Sequence, residues 1–223
     1  ISSGAGTVAL SGNNTYGPAA GSVGTLITGS GTGTLELDNN NALGAGDVSL
    51  FRNSTISAGI PLNMANNFVI SNTVTASLND NGNNVTLSGV LSGGGAFGKN
   101  GTGKLVLSGA NSYNGNTSIG GGTIQLGNAS GIPGGSGNGD VNMGTNTILD
   151  LNGFSPVLDA LNASAAPATI DNVSGGGAVT LTIGENGDYG TFFGSIKNTS
   201  GTLALVKDGA GTESLTGTNT YAG

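Results

Sequence analysis

The segment 101–127 reads GTGKLVLSGANSYNGNTSIGGGTIQLG, and its pattern decides the fold of the chain. Aliphatic and polar side chains alternate in three short runs, 104–108, 116–119 and 123–126, so each run can bury one face of a β-strand. Glycine and asparagine fill the breaks between the runs, and both tolerate the positive φ of a sharp corner. Strands this short are not stable alone. The segment therefore predicts three brief strands that are buried against further copies of themselves.

The same phrase occurs twice more, at 4–17 and at 209–223. In each copy a glycine is followed two positions on by asparagine and four positions on by tyrosine. The motif residues are Gly12, Asn14 and Tyr16, then Gly109, Asn111 and Tyr113, then Gly217, Asn219 and Tyr221. Two modules of about a hundred residues, near 1–100 and 101–208, thus lie between three copies, the third one partial. No linker divides them, so residues 1–223 are predicted to form a single continuous segment.

The composition favours an elongated, ordered β structure. The 223 residues include 45 glycines, and only 8% are charged and 4% aromatic, which is unlike an ordinary globular core. Hydrophobic residues reach 35% and alternate with polar ones, which distinguishes the chain from a disordered glycine-rich segment. The sequence therefore predicts an all-β solenoid of short parallel strands, with roughly 20 to 25 residues per turn and about ten turns. The alternative is a β-sandwich fibre subunit completed by a neighbour's strand.

One stretch departs from the strand pattern. Pro156 and the spacing of Leu158 and Leu161 are compatible with a single helical turn. Residues 163–167 read as a loop that leaves the main body. We expect strands to resume at 178–183, where apolar and polar residues alternate again.

Carboxylates are the main candidates for chemistry, because the chain has no Cys and no His. Glu36 and Asp38 are two residues apart on a predicted strand, so they share one face and can form an acid pair or a weak calcium site. Glu185 and Asp188 flank an Asn-Gly turn signature. We interpret both pairs as solvated charges that keep an apolar solenoid soluble.

The segment 134–141 invites comparison with the calcium-binding nonapeptide, whose pattern is GGxGxDxUx. Here the acidic residue, Asp140, comes one position late, and no second nonapeptide follows to complete an ion site. We therefore interpret the segment as a glycine-rich corner with Asp140 in a turn. The sequence predicts no catalytic, cofactor-binding or metal site.

The motif tyrosines are candidates for exposed aromatics that stack on sugars. The preferred interpretation is that each ring packs over the preceding glycine at a corner. The motif asparagine then bonds to the backbone of the turn.

The charge of the chain argues against several classes of function. With a net charge of −7 and five basic residues, it has no patch to neutralise phosphates, so nucleic acid is not an expected partner. No run approaches the roughly twenty apolar residues of a membrane helix, so membrane insertion by this segment is not expected. Sugar-cleaving enzymes need clustered acids with a nearby base, whereas Arg52 is the only arginine and Lys207 and Asp208 point to opposite sides of a strand. We therefore predict that the chain is not an enzyme.

The phrase GxGxLxLxGxNxYxG, followed by TxIxxGTIxLG, resembles the passenger-associated repeat of bacterial autotransporters, also called the autotransporter-associated β-strand repeat. Residues 101–127 match it almost throughout, whereas the first copy departs after Gly17 and the third stops before the continuation. Stretches between the copies, such as 147–154 and 194–197, also resemble the phrases found between such repeats. The resemblance implies a right-handed parallel β-helix that is secreted, usually at a cell surface.

On this resemblance we expect a structural, non-catalytic repeat segment of a secreted or cell-surface bacterial protein, acting as a stalk, an adhesin or a filament subunit. The alternative is a secreted β-helix polysaccharide lyase or hydrolase. A solenoid has two open ends, so the expected partners are a second copy stacked end to end or flanking repeats of a longer chain. Surface glycans and host cells are further candidate partners. The expected location is extracellular or the bacterial cell surface.

Overall fold

A computed structural model describes residues 6–17, 21–29, 33–164 and 167–223. Every regular element in these ranges is a β-strand, and every strand pair is parallel. The chain is therefore an all-β solenoid, as predicted. The alternative of a β-sandwich is wrong, because the strands of such sandwiches run antiparallel.

The strands are short and follow one another closely. In chain order they are β1 Thr7–Leu10, β2 Val23–Ile27, β3 Thr34–Leu37, β4 Asp47–Leu50, β5 Ser54–Ala58, β6 Leu62–Met64, β7 Phe68–Ile70, β8 Thr75–Asn79, β9 Val85–Leu87, β10 Leu91–Gly93, β11 Ala96–Asn100, β12 Lys104–Leu107, β13 Ser112–Tyr113, β14 Thr117–Ile119, β15 Thr123–Leu126, β16 Val141–Met143, β17 Ile148–Asp150, β18 Val157–Leu158, β19 Leu161–Ala163, β20 Thr169–Asp171, β21 Ala178–Ile183, β22 Gly190–Phe192, β23 Ser195–Lys197, β24 Thr202–Lys207 and β25 Glu213–Leu215.

These strands stack into three faces. The first face is a ten-stranded sheet in the order β1-β3-β5-β8-β11-β14-β16-β19-β22-β25, and the second is a seven-stranded sheet in the order β23-β20-β17-β15-β12-β9-β6. The third face consists of a five-stranded sheet, β13-β10-β7-β4-β2, and a three-stranded sheet, β18-β21-β24. We assign both sheets to one face because their strands come at the same point of a circuit, directly before the chain returns to the first face. From β5 onward the chain passes from the first face to the second and then, except between β15 and β16, to a strand of the third before it returns. Each circuit therefore adds one turn to the stack.

The turns differ in length. Twenty residues separate Phe97 from its partner Thr117 in the first face, whereas twenty-nine separate Asn162 from Thr191. The longer turn contains β21, which has six residues, and so exceeds the expected range. The ten strands of the first face correspond to about nine turns. At about 4.8 Å per strand, the stack is about 45 Å tall.

The core consists of columns of aliphatic side chains. Leu105 and Leu107 of β12 are 0% exposed, while Val106 between them is only partly buried. In β15 their register partners are Ile124 and Leu126, which are equally buried. Each fully buried aliphatic side chain stabilises a fold by about 1.5 to 3 kcal/mol. Stacking of like residues from turn to turn therefore supplies the stability that a single short strand lacks.

The corners need residues without a side chain. Gly122, between β14 and β15, has a φ of 62°, a left-handed conformation that L side chains rarely adopt. A Cβ at this position would also overlap the carbonyl oxygen of Gly103 in the preceding turn. The glycine thus permits both the corner and the close approach of two turns.

Two local expectations are corrected. The stretch expected to form a helical turn forms β18 and β19 instead, because Val157 and Leu158 pair with Thr182 and Ile183 of β21. Ala163 ends β19 and is buried, so it does not begin a loop. Ala165 and Ala166, in the rest of the expected loop, lie outside the described residues.

One strand was not expected from the sequence. β13 lies within the part of the motif that reads as a turn. Its Tyr113 faces the core and is 1% exposed, and it pairs with Gly93 of β10. A strand of two residues is too short to show an alternation, so no local pattern indicates it.

Candidate functional site

The motif asparagine of the middle repeat connects three turns. Asn111 is 5% exposed, and its Oδ1 accepts a hydrogen bond of 2.8 Å from the backbone N–H of Leu91 in the preceding turn. Its Nδ2 donates a hydrogen bond of 2.7 Å to the carbonyl oxygen of Gly131 in the following turn. We call this arrangement the corner clamp. It satisfies two backbone groups that a sharp corner leaves without a strand partner.

The other two copies form half of the corner clamp. Asn14 donates through Nδ2 to the carbonyl oxygen of Ala42 in the following turn, at 2.8 Å. Asn219 accepts at Oδ1 from the backbone N–H of Ile196 in the preceding turn, also at 2.8 Å, while its Nδ2 donates at 3.2 Å to Gly217 in its own corner. The clamp thus points along the stack in both directions at the middle repeat and in one direction at each of the others.

The motif glycines leave space for this bonding. A Cβ at Gly109 would overlap the carbonyl oxygen of Gly89 and lie 3.0 Å from Oδ1 of Asn111. A Cβ at Gly217 would overlap the carbonyl oxygen of Gly194. In both corners the glycine therefore allows the backbone of the preceding turn to approach.

The three motif tyrosines occupy different environments. Tyr113 lies inside the core: its hydroxyl is 2.6 Å from Oγ1 of Thr117, and its ring centroid is 6.0 Å from that of Phe97. Burial raises the pKa of Tyr113 above its ordinary value. Tyr16 is 43% exposed, with its hydroxyl 3.3 Å from the carbonyl oxygen of Ala42, and Tyr221 is partly buried against the core. The buried ring of Tyr113 is therefore not accessible for stacking on a sugar.

A buried ion pair connects the turns below the middle repeat, and sequence reasoning missed it. Lys99 and Asp80 form a salt bridge whose two side chains are both 0% exposed. Nζ of Lys99 also donates to the carbonyl oxygen of Gly121, at 2.9 Å, and Oδ1 of Asp80 accepts from the backbone N–H groups of Gly82 and Gly103. The available signal was that Lys99 follows Phe97 at the next inward position of β11.

The first acidic pair lies on the outside of the coil. Glu36 and Asp38 are both partly buried, and they alternate with the buried Leu35 and Leu37. A Cβ at Gly59 would overlap Oδ1 of Asp38 and lie 3.4 Å from Oε1 of Glu36, so the two carboxylates share one outward patch. The structure thus brings these two residues together, as their spacing suggests.

The second acidic pair separates, and one member joins other acids. Glu185 and Asp188 are exposed, on either side of the turn at Gly187. Asp188 gathers instead with Asp140 and Asp159, and one carboxylate oxygen of each lies within 4.8 Å of the others. We call these three residues the acidic corner. Only Asp140 and Asp188 had been singled out in the sequence, on separate grounds.

Hydrogen bonds hold the acidic corner in place. Asp140 accepts from Nδ2 of Asn162 at 3.3 Å, Asp188 accepts from Nδ2 of Asn186 at 3.0 Å, and Oδ1 of Asp159 accepts from the backbone N–H of Asn186 at 3.2 Å. Burial raises the pKa of Asp140 and of Asp159 above the ordinary value for aspartate, and repulsion from Asp188 raises both further. The corner is therefore strained electrostatically when all three groups are ionised.

A fourth carboxylate lies near the acidic corner. Glu213 at the start of β25 reaches past Gly190 and accepts at Oε2 a hydrogen bond of 3.1 Å from the backbone N–H of Leu161. A Cβ at Gly190 would overlap this carboxylate. Burial, together with repulsion from Asp140, raises the pKa of Glu213 to about 7.

Two further lysines, Lys207 and Lys197, have identified partners. Nζ of Lys207 donates to the backbone carbonyl oxygens of Asp208 and Gly209, and its positive charge also acts on the carboxylate of Glu213. Lys197 lies 3.2 Å from Asp171. In the described ranges no helix is long and apolar enough to cross a membrane.

Comparisons with known proteins define the class of this solenoid. The model of the passenger-associated-transport-repeat family matches residues 3–29, 97–126 and 205–223, which are the three copies of the motif. The chain therefore carries three passenger-associated repeats, as the resemblance implied, and it is a structural repeat segment.

One known protein is similar in sequence to nearly the whole chain. The adhesin BmaC autotransporter of Brucella suis biovar 1 (strain 1330) is 35% identical over 263 aligned positions, which cover 99% of this chain. The chain spans only 8% of the length of that relative. No solved structure matches the chain.

Proposed function

We propose that this chain is a non-catalytic section of an extracellular or cell-surface pillar, which holds other parts of a larger protein away from the cell. The observation that carries the proposal is the corner clamp of Asn111, which fastens a turn to both of its neighbours within a continuous parallel stack. The corner clamp and the buried pair of Lys99 with Asp80 both hold neighbouring turns together. A mechanical role is the function that this use of polar side chains supports best.

The partners in this proposal are flanking repeats of the same kind, or a second copy of the chain. The half clamps support it, because Nδ2 of Asn219 bonds only weakly within its own corner. A following turn would offer it the carbonyl oxygen that Gly131 offers to Asn111. Because each turn presents a whole row of backbone groups, stacking of a further repeat extends all three faces at once.

An in-phase tandem tests this function. Residues 1–208 are joined to residues 4–223, so that the first motif of the second copy replaces the third motif of the first. The maximum dimension in small-angle X-ray scattering should increase by about 45 Å over the single chain, since about nine turns are added. The control carries ten extra residues at the junction, which should give two rods that move independently. A tandem whose length does not increase would contradict the proposal.

A second measurement addresses catalysis directly. The chain is incubated with pectin, alginate and xylan, and new reducing or unsaturated sugar ends are measured over a day. We expect none, because the ion pairs identified for the described lysines are with Asp80 and Asp171 and not with the candidate acids. Release of such ends by the wild-type chain, and not by a heat-unfolded sample, would overturn the non-catalytic assignment.

A further inference from the structure

The acidic corner is built by three successive turns. Asp140 comes directly before β16, Asp159 comes before β19, and Asp188 comes before β22, and these strands are neighbours in the first face. The same corner of the solenoid therefore carries a carboxylate at three consecutive levels. Because the turns have different lengths, the spacing in the sequence does not reveal this alignment.

The middle acid of this corner is buried without full compensation. Asp159 is 0% exposed, and in the described part of the chain its Oδ2 accepts no hydrogen bond. The two ion pairs identified in the described part of the chain, Lys99 with Asp80 and Lys197 with Asp171, include none of the three acids of the corner. A buried carboxylate without a partner is costly, because its charge loses solvation. Such an atom in a native structure calls for a partner.

The distances between the acids suit a single cation. Oxygens that bind one calcium ion at 2.3 to 2.6 Å lie at most about 5 Å apart, and the three carboxylate oxygens meet this condition within 4.8 Å. Calcium takes oxygen ligands in flexible geometry, whereas soft transition metals favour Cys and His, which this chain lacks. Among divalent cations, the donor set therefore favours calcium.

The surrounding loops position the acids. Asn186 accepts at Oδ1 from the backbone N–H of Gly137 and donates through Nδ2 to Asp188, so the glycine-rich loop 134–140 is bonded to the turn that carries Asp188. Glu213 adds a further unpartnered and buried atom, Oε1, on the neighbouring turn. Negative charge thus approaches the corner from four turns.

We propose that Asp140, Asp159 and Asp188 bind a calcium ion, which fastens three successive turns of the solenoid together. The ion supplies the positive charge that Asp159 lacks, and it replaces the mutual repulsion of the carboxylates by attraction. This site goes beyond the pillar function, because a stack without calcium would still form through its core. Calcium then stiffens the part of the stack between β16 and β22.

The first test is calcium binding by the full chain, after treatment with a chelator. Isothermal titration should give one site with a dissociation constant between about 10 µM and 1 mM. The melting temperature should rise by about 5 to 10 °C when the calcium concentration is a hundred times this constant. Magnesium at the same concentration should have a smaller effect, because it demands strict octahedral geometry.

Two variants locate the site. Asp188→Asn changes an exposed residue, so the chain should fold, and calcium affinity should fall at least about tenfold. Asp38→Asn is the matched control, because it removes the same charge from the other acidic patch and should leave calcium affinity unchanged. Equal losses of calcium affinity in both variants would show that calcium binding depends only on net charge, and the proposal would be wrong.

Terbium luminescence provides a reading that does not depend on stability. Tyr189 follows Asp188 and is 76% exposed, so it can sensitise the emission of terbium bound at the acidic corner. We expect emission that calcium displaces and that Asp188→Asn abolishes. The proposal would be overturned if the folded wild-type chain, at millimolar calcium or terbium, gave neither a heat of calcium binding nor sensitised terbium emission.

Discussion

At the scale of single residues, the polar side chains that matter most are those that bond between turns. Asn111 does so through both ends of its amide, whereas Asn63 is an exposed strand residue whose side chain is accessible to water. The difference follows from burial, because a backbone group inside the corner has no water to replace a lost partner. The same substitution should therefore have very different effects at different asparagines.

Asn111→Ala should lower the free energy of unfolding by about 2 to 4 kcal/mol, because it leaves the N–H of Leu91 and the C=O of Gly131 unpaired. Urea unfolding followed by circular dichroism measures this loss. Asn63→Ala is the matched control, since Asn63 is an exposed strand residue, and it should change stability by less than about 0.5 kcal/mol. Similar losses in the two variants would contradict the clamp.

Lys99→Met should cost about 3 to 5 kcal/mol, because it leaves the charge of Asp80 buried without its partner. Adding Asp80→Asn should recover part of the loss, since Asn keeps an oxygen for the backbone N–H groups of Gly82 and Gly103. Lys104→Met, which removes a partly exposed lysine, should cost less than about 1 kcal/mol. If the double variant is less stable than Lys99→Met, the charge of Asp80 is not the cause.

Glu213 should make stability depend on pH. Its pKa rises from 4.5 unfolded to about 7 in the folded chain, so the folded state holds more protons between these values. Stability should therefore fall as pH rises from about 4.5 to 7, and Glu213→Gln should remove this part of the fall. Asp140 strengthens the effect and Lys207 weakens it. Chemical unfolding in a chelating buffer measures it, and a variant with an unchanged pH profile would contradict the assignment.

At the scale of elements, the corners limit the sequence more strictly than the strands do. Within a strand the pattern of burial sets only which positions are apolar, and many aliphatic residues meet that need. The corner between β14 and β15, in contrast, requires both a left-handed backbone conformation and a close approach to the backbone of the preceding turn. Glycine is the only residue that meets both conditions.

Gly122→Ala should lower the free energy of unfolding by about 1 to 3 kcal/mol, because alanine is strained at positive φ, and the contact with Gly103 adds to this cost. Gly98→Ala is the control. Gly98 lies within β11, and a Cβ there would meet nothing closer than 3.5 Å, so its replacement should be neutral or slightly stabilising. Thermal unfolding of the two variants compares them directly. A larger loss for Gly98→Ala would show that corners are not the sensitive positions.

At the scale of the whole molecule, stability should vary along the stack. Leu105 and Leu107 in the middle are fully buried, whereas Val8, Leu10 and Leu215 in the first and last strands of the first face are only partly buried. In a solenoid each turn gains stability from its neighbours alone. Local opening should therefore be easiest in the outermost turns.

Hydrogen exchange measures this gradient. Backbone amides of β12, β14 and β15 should exchange slowest, and those of β1 and β25 fastest, with rates that change gradually between them. Calcium at the acidic corner should slow exchange in β16, β19 and β22 selectively. Uniform protection along the chain would mean that the stack opens in one cooperative step, against this expectation.

The sequence by itself determined the class of fold and the family. Alternation with a period of two residues indicates strands, glycine and asparagine indicate corners, and repetition of the phrase around Tyr113 indicates a stack. These are local properties, and each can be read within a few residues. The parallel pairing of β12 with β15 follows from them once the chain is coiled.

Only the tertiary structure decided which polar side chains meet. Lys99 reaches Asp80 and Asp188 reaches Asp159 across whole turns, and the register between turns depends on corner lengths that vary from one circuit to the next. A shift of one residue in any corner would turn these side chains to the other face. No local pattern encodes that register, because it is set by how the whole column of side chains packs.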